Sequence, residues 1–97
     1  MERKEAESLG DLLRKAIEEN QAAFRFDEIN AMNAWPRVVG QAVASKTSRP
    51  FIKGGIMTIR VVSAPLRHEL NMMRSAIAKA INEDVGKEVV KELRFLG

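Results

Sequence analysis

Residues 49–62 carry two β-rich runs, Arg49-Pro50-Phe51-Ile52-Lys53 and Ile56-Met57-Thr58-Ile59-Arg60-Val61-Val62, joined through Lys53, Gly54 and Gly55. Glycine reaches the positive φ values that a tight turn demands, so this stretch is predicted to be an antiparallel hairpin. In the second run Met57, Ile59 and Val61 share one face, while Thr58, Arg60 and Val62 share the other. That alternation describes a sheet with one packed side and one wet side. Phe51 is expected on the packed side, and Pro50 suits a strand start or an edge. An isolated hairpin is marginal in water, so the flanking segments must cover its apolar face.

Those flanks read mainly as helices. Ser8 is placed to cap a helix, with Asp11 three residues on at the positive end of its dipole. Leu9, Leu12, Leu13, Ala16, Ile17 and Phe24 follow with helical spacing, and Gly10 weakens the first turn. Asp27 is expected to cap a second short helix with Ile29 and Met32 on its buried side. Pro36 predicts a corner at Ala34 and Trp35, then a third helix from Pro36 to about Lys46. Gly40 would sit inside that helix, at a cost of about 1 kcal/mol relative to alanine, justified by close approach of another backbone. Ala64-Pro65 opens the longest helix, to about Asp84, with Leu66, Leu70, Met73, Ile77 and Ile81 along its inner side. Gly86 ends it where left-handed backbone is wanted. Val89 to Leu96 reads as a third strand with Leu93 and Phe95 inward.

The expected order is α-α-α-β-β-α-β, an α+β fold with a layer of helices on a three-stranded sheet. Its 97 residues suit a single domain over 8–97, preceded by a flexible stretch at 1–7. With 45% apolar residues and no cysteine, the domain is expected to fold without metal or disulfide. The charged start and the lack of a long apolar run predict a cytoplasmic protein with no membrane partner.

Charge is unevenly spread. Between Ile29 and His68 forty residues contain no Asp or Glu, yet include Arg37, Lys46, Arg49, Lys53, Arg60 and Arg67. The window carries +6 of the formal charge and the remainder −3. A surface so composed favours polyanions such as nucleic acid or acidic protein. Lys46, Arg49 and Lys53 are expected to form one patch, with Arg37, Arg60, Arg67 and Arg74 as candidate extensions.

Catalysis finds little support. His68 is the only histidine, between Arg67 and Glu69, and no nucleophile beside it is evident. No His, Asp and Glu cluster suggests a metal site, and no cofactor is implied. Gly54-Gly55 links two strands, whereas a phosphate loop feeds a helix. Trp35, the sole tryptophan, could stack on a base, but its place beside Val38-Val39-Gly40 favours the core. With Phe51 and Phe95 inward, the wet sheet face would hold Thr58, Arg60, Glu92 and Arg94 without a stacking platform.

Several segments together resemble one family. They are Trp35-Pro-Arg-Val-Val-Gly40, the Thr47-Ser-Arg-Pro50 segment, Gly55 before the second strand, Glu69-Leu70 on the long helix, Ile81-Asn82 with Gly86, and Leu93-Arg-Phe95. The pattern is similar to that of the DciA-like family, long catalogued as a domain of unknown function, over about Leu9 to Leu96. The resemblance implies a fold similar to the KH type II domain. It also implies a non-enzymatic role in bacterial DNA replication, with DNA and the replicative helicase DnaB as partners. The Gly-x-x-Gly clamp of KH domains is absent. Longer family members carry a mobile tail implicated in helicase contact, whereas this chain stops at Gly97. Binding to DNA or to a replication protein is thus the expectation, rather than helicase loading itself. The alternative is a general KH-like nucleic-acid-binding domain, for RNA or DNA, without a helicase partner.

Overall fold

The computed structural model describes residues 8–97; the stretch expected to be flexible, 1–7, lies outside them. Ser8 caps the first helix, α1 (Leu9–Val39), its hydroxyl accepting from the Asp11 amide at 3.1 Å. The three predicted helical pieces are arranged differently. Residues 9–39 form one helix that passes through Pro36, and only Gly40 ends it. Proline removes one backbone donor and its ring crowds the carbonyl one turn earlier, at a cost of about 3 kcal/mol. Burial of Ala31, Ala34 and Trp35 holds this part of α1 against the core, so packing outweighs the missing bond.

Gly40 is not a mid-helix residue. Its backbone, φ 91° and ψ 153°, occupies a region essentially confined to glycine. A Cβ there would meet nothing within 4 Å, so close approach is not the reason for glycine. The reason is the non-helical backbone at the break that separates α1 from the short α2 (Gln41–Ala44).

Strands β1 (Phe51–Lys53) and β2 (Ile56–Arg60) form the predicted hairpin, with Gly54 at φ 61° and Gly55 at φ 84°. Two positive values across a two-residue loop match the strand twist. A Cβ on Gly55 would lie 3.1 Å from the Lys91 side chain, so here close approach does apply. The long helix divides into α3 (Ala64–Met72) and α4 (Arg74–Val85) at Met73, whose φ −103° and ψ 11° depart from helical values. Met73, expected inward, is exposed together with Met72. Gly86 adopts the left-handed conformation expected of it.

Strand β3 (Glu92–Leu96) is shorter than predicted, because Val89 and Val90 lie buried in the preceding loop. Asn82 fixes that loop: its Oδ1 accepts from the Val89 and Val90 amides at 2.9 and 2.8 Å, and its Nδ2 donates to the Val90 carbonyl at 2.9 Å.

The sheet order is β1-β2-β3, antiparallel then parallel. A parallel neighbour needs a crossover, which α3 and α4 provide. The helices cover one face, where Ile52, Met57, Ile59, Leu93 and Phe95 join Trp35, Leu70, Ile77 and Ile81. The first half of α1 lies outside this core: residues 8–26 are all exposed, including Leu9, Leu12, Leu13, Ile17 and Phe24.

Candidate nucleic-acid interface

The turn length decides which side chains reach the open face of the sheet. Because Gly54-Gly55 alone form the loop, Lys53 pairs with Ile56, Ile52 with Met57 and Phe51 with Thr58. Phe51 therefore lies on the wet side and is 63% exposed, contrary to the inward position predicted for it. Ile52 takes the core position instead. Reading the loop as two residues would have fixed this register in advance, since a slip of one flips every side chain.

The seven predicted cations fall into distinct settings. Lys46 is exposed in the turn after α2, Arg49 is exposed just before β1, and Lys53 closes β1 at the hairpin. None of the three makes a side-chain hydrogen bond or ion pair with a described residue. Arg49 and Lys53 stand at opposite ends of β1, about 13 Å apart at strand rise. Both fall on the outward alternation of the segment 49–53 rather than at one point. Arg60 is exposed at the Arg49 end of β2, where Ser48 accepts from the Arg60 amide at 2.9 Å; its guanidinium donates to the Gly97 carbonyl at 2.6 Å.

Arg37 and Arg67 are engaged elsewhere. The Arg37 guanidinium donates to Asp84 at 2.6 and 3.4 Å, tying α1 to α4. Hydrogen bonding to Arg37 holds the Asp84 carboxyl below its ordinary pKa; desolvation opposes this and the neighbouring charge assists. The same hydrogen bond, then the carboxylate charge, raises Arg37 above its ordinary value. The acid-free window thus does not leave Arg37 without a partner, because its carboxylate comes from 47 residues away. Arg67 donates to the Val61 carbonyl at 2.7 Å and is half-buried between α3 and the end of β2. Arg74 opens α4 and lines a cleft of about 250 Å³ with Ser75, Ala78, Lys91, Glu92 and Leu93.

Several residues of the segments that carry the resemblance, Trp35, Leu70, Ile81, Leu93 and Phe95, meet in the core. Trp35 is 1% exposed, its Nε1–H donating to Thr47 Oγ1 at 3.0 Å while the Thr47 hydroxyl donates to the Ala44 carbonyl at 3.0 Å. The indole lies 6.0 Å from the Phe95 ring. Pro50 and Leu70 are buried, and Glu69 is exposed one position before Leu70. These contacts explain Trp35, Thr47 and Pro50 as parts of one joint between α1, the following turn and β1.

Two contributors to the open face were not among the candidate sites predicted from sequence, Phe51 and Arg94. Arg94 faces outward beside Thr58 and bonds Glu92 at 3.0 Å. Strand alternation around Leu93 and Phe95 already places it outside. Among the described residues no group of three His, Asp or Glu could hold a metal ion, and no helix is long and apolar enough to cross a membrane.

The family model described as "Dna[CI] antecedent, DciA" matches residues 8–95. A UPF0232 protein of Corynebacterium glutamicum (strain R) is 32% identical over 92 residues, which are 95% of this chain and 52% of that protein. The chain therefore spans about half the length of that relative.

Proposed function

The chain belongs to the DciA family, and from that membership we propose a non-enzymatic adaptor of bacterial DNA replication, binding DNA and the replicative helicase DnaB in the cytoplasm. One observation carries the DNA-binding half of this reading: Lys46, Arg49 and Lys53 are exposed and unpaired with any described residue. Cations without carboxylate partners are free to neutralise phosphates. The helices on one face of a mixed three-stranded sheet also agree with the KH type II-like fold that the resemblance implies. Without a Gly-x-x-Gly clamp, phosphates would be held by side-chain cations. Arg74, and Arg60 on releasing its bond to the Gly97 carbonyl, would extend that set, whereas Arg37 and Arg67 act first as structural ties. Partner preference for DNA over an acidic protein follows from the family.

Binding of a fluorescent duplex across a salt series tests this reading. Each neutralised phosphate should contribute about −0.9 to the slope of log affinity against log salt, or about −0.7 for a single strand. Sequence preference should be slight, since phosphate contacts carry no base information. Charge reversal of Lys46, Arg49 and Lys53 together should weaken binding and flatten the slope. Undiminished binding by the folded triple variant would remove the patch. Capture from a nuclease-treated bacterial lysate tests the helicase half: recovery of the replicative helicase supports it, and recovery of ribosomal proteins alone favours a general nucleic-acid binder.

A further inference from the structure

Strand register lays out the open sheet face in rows. Phe51, Thr58 and Arg94 lie side by side across the three strands, as do Lys53, Ile56 and Glu92, while Arg60 stands beside Leu96. Arg49 continues the outward set of β1, because Pro50 and Ile52 are buried on either side of exposed Phe51. Arg49, Lys53, Arg60 and Arg94 are all exposed. Glu92 is the one acid on the outward side of the strands, and Arg94 already bonds it. Four cations and one carboxylate leave this face at a formal +3.

A phenyl ring in water amid cations is a poor arrangement for stability, since it forgoes the burial that aromatic side chains ordinarily gain. It suits a ligand that offers flat apolar faces and negative charge together. Nucleotides in a single strand do so: a base can stack on Phe51 while its flanking phosphates meet the cations. In a duplex the base faces are hidden by stacking on one another, and the ring has nothing to engage. The Thr58 hydroxyl and the Arg94 guanidinium, on the same row, supply donors for a base edge. An apolar protein surface fits less well, because it would strip water from these cations without pairing them.

We infer that the open sheet face is a platform for single-stranded DNA, with Phe51 stacking on a base and Arg49, Lys53, Arg60 and Arg94 holding the adjoining phosphates. The inference rests on the DNA-binding reading above and adds to it a site, the open sheet face with Phe51 at its centre.

Oligo-dT labelled with fluorescein, titrated at low salt, tests it alongside a labelled duplex and oligo-rU. Phe51→Ala should weaken oligo-dT binding about five- to hundredfold, the loss of one stacked base. Its melting temperature and its affinity for the duplex should stay close to native. Phe51→Trp should restore oligo-dT affinity and show emission quenched by the oligonucleotide, which buried Trp35 does not provide. Native-like oligo-dT affinity in Phe51→Ala overturns the platform, and if the native chain still binds duplex the broader reading survives. Failure of the native chain to bind either DNA overturns both. A preference for oligo-rU over oligo-dT of tenfold or more overturns the assignment to DNA.

Discussion

Trp35 joins three roles in one side chain: it fills the core, packs at a tilt against Phe95 and donates its N–H to Thr47. A buried indole needs such an acceptor, which accounts for a threonine in the turn twelve residues later. Trp35→Ala should cost about 3–5 kcal/mol, the range for large aromatic truncations in cores. Thermal unfolding measures this, and an unchanged melting temperature would contradict the packing described. The Arg37–Asp84 pair makes a second prediction at this scale. Asp84 has a folded-state pKa below its unfolded value, so its contribution is fully present above the unfolded pKa, about 4. That contribution is lost as pH falls through the lower, folded value. Melting temperatures of the native chain and of Asp84→Asn should therefore differ near neutral pH and converge on acidification. Because the pair is solvent-exposed, added salt should also narrow the gap.

At the scale of elements, α1 behaves as two segments with one geometry. The 31 residues span about 46 Å at helical rise. Ala31, Ala34 and Trp35 anchor the last third, while residues 8–26 are exposed throughout. Local support there includes the Ser8 cap and the Arg14–Asp11 pair at 3.1 Å. Helical segments of this length are marginal in water without tertiary packing. Amides of residues 12–24 should thus exchange with solvent much faster than those of Ile59, Val61, Ile77 and Ile81. Hydrogen exchange followed by NMR gives the comparison, and equal protection of both sets would mean that the exposed half is covered in solution. The apolar spacing from Leu9 to Phe24 correctly signals a helix. It carries no information on whether a neighbour exists, because periodicity marks a face and not its partner.

Across the whole molecule the projecting helix dominates the dimensions. The radius of gyration is 18.3 Å, against about 12.5 Å expected for a spherical domain of this length. The proposed DNA-binding surface is the sheet face turned away from the helices. Sequence alone determined what local chemistry controls: the hairpin from its glycines, the Ser8 cap, the left-handed Gly86, the outward Arg94, and the uneven spread of charge. The DciA-like resemblance too is carried by the order of short segments along the chain. Tertiary structure decided the rest. It kept α1 helical through Pro36, because burial of Ala34 and Trp35 outweighed one missing hydrogen bond. It paired Arg37 with a carboxylate 47 residues away and turned Arg67 to a backbone carbonyl, contacts that no local window contains. It set β3 parallel to β2, a choice that depends on how α3 and α4 cross the sheet. Phe51 falls between the two: its outward direction follows from a two-residue turn that a sequence can specify, but its exposure arises because the described helices dock on the opposite face. Local rules fix backbone conformation and side-chain alternation within a few residues, whereas partners and coverage arise only when distant segments dock.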